Sequence, residues 1–453
     1  MWATDHSTAF VEFQYSIFAN HTFVLGKVGT FQPHSVDVFS YNGSYYMANA
    51  PGTAFIALPF AIIAFLLIGH FSVFGYTLLL TEVPVALANA GTVYLVYRIA
   101  RYYFREDVCA FLAFTYAFST ISWPFSSFFF QSDVSALFDL LAAYLAIMIG
   151  RNPQKSSLRL ALCCGLALAA ATMVDYVNAI FIPILFVYIM LGRRRIETSK
   201  MNIMKSAVSF LAGASATFLA LGAYNYASFG NAFLSSEQLY LKSTSFIGNF
   251  TYPMHLGVTL LLFSPVRGLF LFSPILVLGA LGMWKMARRS SVDREALLFL
   301  TLFLGILLPY SAWYDPMGGE SFGPRFIISS IPFLLIPSGF VISRMMKGKY
   351  SFSILYLLYA SGVLINGLAA MVTVLAPPTK EWMISPFLSI IVPHILSGKL
   401  DSWWAGYLGE YWFVLSTGII LFALFIPMVC GYLFERYSSQ DVKSPLLQQE
   451  EFA

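Results

Sequence analysis

The sequence predicts an all-α polytopic membrane protein, and three observations lead there. Of its 453 residues, 58% are hydrophobic and 17% aromatic. Only 11% are charged, against roughly 25% in a soluble domain. The apolar residues also run in continuous blocks of about 20, the length that crosses a bilayer, rather than in the stripes of a surface helix. Mean hydropathy is +0.73, more apolar surface than a soluble fold can hide. Disordered chains, secreted disulfide scaffolds, coiled coils and nucleic-acid binders are excluded. The net charge of +4 follows membrane topology instead of marking a polyanion partner.

Eleven spans are expected, at about 73–97, 107–122, 128–150, 159–174, 176–192, 206–224, 268–286, 296–313, 324–343, 351–376 and 412–434. The 159–192 stretch is too long for one helix and breaks at Asp175. Lys and Arg then set the orientation, because cytoplasmic loops collect them. Loops 98–106, 151–159, 193–205, 285–295 and 344–350, with the tail after 434, hold 20 of the 26. The other six are Lys27, Lys242, Arg267, Arg325, Lys380 and Lys399. Segments 1–72, 225–267, 314–323 and 377–411 therefore face outward, and the C-terminus is cytoplasmic. Residues 52–70 are apolar enough to span, yet a span there reverses the N-terminus; the expectation is a juxtamembrane helix in the outer interface. Residues 1–13 have neither the basic start nor the apolar core of a signal peptide.

The four cysteines sit in apolar stretches and read as small buried hydrophobes. The six histidines show no metal-ligand spacing, and no phosphate-binding loop, nucleophile elbow or dinucleotide fingerprint is present.

The outer segments hold the chemistry. WYDPMGGESFGPR at 313–325 places Trp313, Gly318, Gly319 and a Gly-Pro pair ahead of Arg325 at the head of a helix. Glycine lets backbone approach a ligand, and a planar guanidinium suits phosphate; the other reading is a re-entrant turn whose arginine snorkels to headgroups. YNGSYYMANAPG at 41–52 carries Tyr45, Tyr46 and Asn49, suited to a sugar or to an aromatic interface belt. YNYASFG holds Tyr224 and Asn225 at a helix end, and SPVRGLFLFSP holds a second outer cation, Arg267. The acids are Asp5 and Glu12 in the first outer segment and Asp133 at the mouth of a span. A carboxylate in a partly dry cavity takes a proton from an acceptor hydroxyl, holds a divalent cation, or, for Asp133, caps a helix. Glu82 and Asp139 fall mid-span and read as buried hydrogen-bonding groups.

Taken together, these stretches resemble the GT-C-fold glycosyltransferases, closest to the prokaryotic branch near the protein O-mannosyltransferases and aminoarabinose transferases. The resemblance rests on Tyr41, Asn42, Gly43, Tyr45, Tyr46, Pro51 and Gly52. It continues through Tyr224, Asn225, Phe229, Gly230, Arg267, Gly268, Leu269, Ser273 and Pro274, and ends at Trp313, Gly318, Gly319, Gly323, Pro324 and Arg325. The order is the family's, and the resemblance covers about 5–345. It implies a catalytic membrane module over 1–345, followed by a C-terminal transmembrane region over 346–453. It also implies sugar transfer from a polyprenyl- or dolichyl-phosphate donor to a lipid, glycan or protein acceptor on the outer face, usually with inversion. Asp5 is then the general base, Asp133 a second cavity acid and Glu12 the alternative. Arg325 and Arg267 hold donor phosphate, while Tyr45, Tyr46, Asn49, Tyr224, Asn225, Trp313, Gly318 and Gly319 line the substrate. Two features depart from the pattern. Asn49-Ala50 stands where a Lys or Arg often precedes the Pro-Gly, and four residues precede Asp5 where the family has a membrane helix. The rival classes are a lipid or sugar transporter and an inactive envelope-assembly subunit. Internal repeats and midplane-broken helices, which favour a transporter, are not visible.

Overall fold

The computed structural model describes residues 5–25, 37–68, 83–151, 158–196, 200–242, 246–319, 321–374, 385–400, 405 and 408–438. Residues 73–82 of the first expected span, Glu82, Lys27 and Lys380 lie outside these. So does the side chain of Asp5. Among the described residues, seven helices are long and apolar enough to cross a membrane, and six shorter apolar helices accompany them. Each expected span has a helix at its place, but Glu106–Phe118, Leu158–Val174 and Val277–Ala287 are shorter than a full crossing.

The chain forms two compact units interleaved in sequence. The first comprises residues 1–88, 126–251 and 312–314; the second comprises 89–125, 252–311 and 315–453. Residue 345, where the sequence placed a division, falls inside the second.

In the first unit, helix Asp5–Asn20 turns Phe10 and Phe13 into an apolar cluster with Met47, Ala54, Phe129 and Tyr224. Strands Val38–Tyr41 and Ser44–Met47 form an antiparallel hairpin with Tyr41 opposite Ser44. Its two-residue turn is Asn42-Gly43, both at positive φ (49° and 77°), the pair best suited to a mirror-image turn whose twist matches the strands. Helix Gly52–Ile68 follows, with Gly52 so close to the Met173 backbone that a Cβ would stand 2.3 Å from its carbonyl. Helices Leu158–Val174 and Lys200–Phe229 cross at two facing glycines. A Cβ on Gly165 would lie 2.2 Å from the Phe210 carbonyl oxygen, and one on Gly213 would lie 2.3 Å from that of Leu162. Small residues are what permit such contact between membrane helices, where burial from water supplies no drive.

The break at Asp175 is present. Its carboxylate accepts from the Val177 amide (3.1 Å) and caps the 3₁₀ turn Tyr176–Ile180, after which Phe181–Ile196 runs on. Asp139 is fully buried and accepts from Ser135 Oγ (3.1 Å), which in turn receives Asn178 Nδ2 (2.6 Å). An otherwise costly acid inside a helix bundle is thus held by a local hydrogen-bond chain.

The second unit is built round helix Ile331–Met345, buried without interruption from Ile331 to Ile342. Asn366 Nδ2 donates to the Phe272 carbonyl (2.6 Å), Tyr359 Oη to that of Ala423 (3.1 Å), and Ser119 Oγ to that of Tyr359 (2.9 Å). These bonds tie the short helix Leu269–Phe272 to Lys349–Val372, and Lys349–Val372 to Glu410–Ser438. Cys109, Cys164 and Cys430 are buried as expected, whereas Cys163 is exposed because its neighbour Cys164 takes the inward face.

Candidate active site

The first unit carries the acids. Asp5 opens the first helix, and Glu12, two turns on, is 9% exposed. Asp133 lies in the first turn of Gln131–Arg151 and is fully buried. Phe10 meets Phe129 edge-on at 5.2 Å, so the element bearing Glu12 packs against the segment that leads to Asp133. A carboxylate within reach of an acceptor hydroxyl can take its proton.

The aromatic candidates are mostly packed. Tyr224 is buried among Phe13 (5.9 Å), Phe23 (5.3 Å) and Phe55 (6.2 Å), so its ring belongs to the core. Tyr46 is buried edge-on to Phe229 at 5.1 Å. Tyr45 stays half-buried, and its carbonyl accepts from the Leu25 amide (2.8 Å). Asn225 Nδ2 closes the turn after its helix by donating to the Ala232 carbonyl (3.2 Å). Asn49 is half-buried and takes the Ser236 hydroxyl on its carbonyl (3.4 Å). Trp313 is buried against Phe250 (5.3 Å) and Tyr314 (5.5 Å).

One acidic pair carried no local signal in the sequence. Ser235 and Gln238 form a capping box on the short helix Ser236–Tyr240. That helix brings Glu237 near Asp175, 62 positions away in the chain. Burial, and then the Asp175 charge, push the Glu237 carboxyl up to about 8.

The second unit carries the cations. From Asp315 the chain makes a tight turn, with Gly318 and Gly319 at φ 71° and 63° and Gly323 at 65°. Side chains rarely adopt that region, so the glycines are a conformational requirement. Asp315 accepts from the Met317 amide on Oδ1 (3.1 Å) and from the Gly319 amide on Oδ2 (3.0 Å). Arg267, only 1% exposed, donates from Nε to the Met317 carbonyl (3.0 Å) and from Nη2 to the Gly319 carbonyl (2.9 Å). Its Nη1 is buried and makes no hydrogen bond among the described residues. Burial and the neighbouring Arg325 charge lower the Arg267 guanidinium to about 10, while Asp315 opposes them; it remains a cation at neutral pH. Arg325 is half-buried, its guanidinium 5.1 Å above the Phe326 ring, which stacks on Tyr310 at 4.7 Å. Two guanidiniums close enough to repel, with one carboxylate between them in charge, leave a net positive site fit for an anion.

Among the described residues, no three His, Cys, Asp or Glu side chains gather as a metal-ligand set.

The fold is GT-C-like: a multi-pass helical membrane protein whose first helices carry acids and whose later glycine loop carries arginines. Residues 58–218 match the family model described as dolichyl-phosphate-mannose-protein mannosyltransferase. ArnT from Cupriavidus metallidurans, in a crystal structure bound to undecaprenyl phosphate, superposes with a TM-score of 0.51 at 16% identity, over 96% of this chain and 71% of that one. The oligosaccharyltransferase of Archaeoglobus fulgidus in its apo form superposes with a TM-score of 0.55 at 12% identity, over 84% of this chain. The chain spans 53% of that archaeal enzyme. Among curated proteins none matches the sequence. The family match and the shared fold agree with the class the motifs resemble.

Proposed function

We propose that the chain moves a sugar from a polyprenyl- or dolichyl-phosphate donor to a hydroxyl of a lipid, glycan or protein acceptor on the outer face of the membrane. The observation that carries this reading is the close pair of guanidiniums, Arg267 and Arg325, on the double-glycine turn. A phosphodiester that becomes a phosphate on leaving is the anion such a pair favours, because charge grows there as the bond breaks. The family match names dolichyl-phosphate-mannose, and the ArnT structure holds undecaprenyl phosphate, which support the donor class.

In the proposed step the acceptor oxygen bonds to the anomeric carbon as the bond from that carbon to the phosphate oxygen breaks. The sugar inverts, and the lipid phosphate leaves with the electron pair, its charge met by Arg325 and the free Nη1 edge of Arg267. The acceptor proton passes to a carboxylate, Asp5 by the family's pattern, with Glu12 and Asp133 the other candidates. Tyr45 and Asn49 remain the side chains offered for sugar contacts. The helix Gly52–Ile68 lies in the outer interface, and the C-terminus is cytoplasmic.

Two measurements test this. The purified chain should bind undecaprenyl phosphate and not undecaprenol; equal binding of the two removes the phosphate reading. A cysteine at Ser245 should react with an impermeant thiol reagent in intact cells while one at Ser199 stays silent, and the reverse overturns the orientation.

A further inference from the structure

We propose that Asp315 is a positioning residue for the lipid phosphate. With Arg267 it clamps the Met317 and Gly319 peptides from opposite edges, and this fixes the seat of the Arg325 side chain. The proposal rests on the reading of Arg325 as a phosphate ligand.

The geometry is reciprocal. The Met317 amide goes to Asp315 Oδ1 and its carbonyl to Arg267 Nε; the Gly319 amide goes to Asp315 Oδ2 and its carbonyl to Arg267 Nη2. Every backbone group of those two residues is therefore held by a charged side chain, one anionic and one cationic. Between them sits Gly318, whose amide donates to the Asp315 backbone carbonyl (3.3 Å) and which neither charged side chain contacts by a hydrogen bond among the described residues. Its open face is where the Arg325 stem rests: a Cβ added there would lie 3.2 Å from Arg325 Nε and 3.4 Å from its Cγ. It would also lie 3.2 Å from Phe326 Cε2.

A Gly-Gly pair is among the least ordered dipeptides when untethered, since both residues reach either hand of φ freely. Four charge-assisted bonds remove that freedom. Asp315 also supplies the negative charge that lets two guanidiniums share the site, and it faces Arg267 against the repulsion of Arg325. The chain of cause runs from Asp315 to the turn, from the turn to Gly318, and from Gly318 to the direction of the Arg325 guanidinium. Preorganisation of this kind acts on ligand affinity through the contact it aims, not through a contact of its own.

The test is a double-mutant cycle on the full chain in nanodiscs, with undecaprenyl phosphate as the probe and thermal unfolding followed in parallel. Asp315→Asn keeps one acceptor oxygen but turns an amide donor toward the Gly319 amide and removes the counter-charge. It should weaken binding of undecaprenyl phosphate about tenfold in the wild-type background. In the Arg325→Ala background the same change should weaken binding less than about twofold, because nothing remains to be aimed. Equal losses in both backgrounds overturn the proposal, as does wild-type binding by Asp315→Asn. If Asp315→Asn loses its thermal transition, Gly318→Ala decides. It keeps both charged clamp side chains, strains the positive-φ turn between them and puts a methyl against the Arg325 stem, so wild-type affinity in that variant overturns the proposal. A wild-type chain that binds undecaprenol as well as its phosphate overturns both this and the phosphate reading; preference for the phosphate with an additive cycle overturns this one alone.

Discussion

Replacing Arg325 by alanine removes one of two guanidiniums from the proposed phosphate site, together with its contact over the Phe326 ring. The side chain is half-buried, and its stem lies on Gly318 instead of inside the core. The Phe326–Tyr310 stack beneath it survives the change. Loss of one charge-assisted contact costs about 1.5–3 kcal/mol, or roughly ten- to 150-fold in affinity. The remaining cation, Arg267, already spends two of its nitrogens on the turn, so only its Nη1 edge is left to compensate. Initial rates at varied donor concentration should show the donor KM rising by that factor, with the thermal midpoint of the purified chain moving little. Arg325→Lys should recover only part, because a point charge lacks the planar fork. An unchanged donor KM in Arg325→Ala refutes the reasoning and leaves the arginine anchoring to headgroups.

The other predictions follow from the acids, the helix crossing and the buried carboxyl. Asp5→Asn should cut turnover about 10²–10⁴-fold while undecaprenyl phosphate still binds, with Glu12→Gln and Asp133→Asn costing less; a dead Glu12→Gln beside an active Asp5→Asn moves the base to Glu12. Gly213→Val should destabilise the Leu158–Val174/Lys200–Phe229 crossing by about 1–3 kcal/mol, read as a lower thermal midpoint in detergent, since the methyls meet backbone at Leu162. The folded state holds the Glu237 proton between about 4.5 and 8, where an unfolded chain has released it. The contribution of Glu237 is therefore most favourable below 4.5 and declines as pH rises to about 8. The wild-type midpoint should fall over that range more than that of Glu237→Gln, and parallel curves contradict the shift.

What the sequence made legible was local. Continuous apolar blocks located the helices, seven of them long enough to cross among the described residues, and a lone Asp175 inside a 34-residue block marked the break that the structure turns into a capped 3₁₀ step. The same hydropathy overstated lengths at 107–122, where Ser119 turns the chain after 13 helical residues. Asn42-Gly43 carried a hairpin signal that the aromatic reading of YNGSYY passed over. Tyr224 and Tyr46 show the limit more sharply. A motif tyrosine looks the same in sequence whether it lines a ligand or fills a core, and only the tertiary neighbours Phe13, Phe23 and Phe229 distinguish them. Arg267 was legible as an outer cation, but its two bonds to the glycine turn join positions 50 and 52 apart. Asp315 sat inside the most specific motif unnoticed; an Asp-Pro followed by a double glycine is a turn in which a carboxylate collects backbone amides.

The most direct test of sugar transfer from a lipid phosphate uses the purified chain in proteoliposomes with a series of undecaprenyl- and dolichyl-phosphate-linked labelled sugars. Release of free lipid phosphate is followed together with the label. The account predicts that at least one such donor is consumed, that lipid phosphate appears in step with labelled product, and that Arg325→Ala raises the donor concentration required. If every lipid-phosphate sugar stays intact in the presence of lipid, glycan and protein acceptors while the chain remains folded, the account is contradicted.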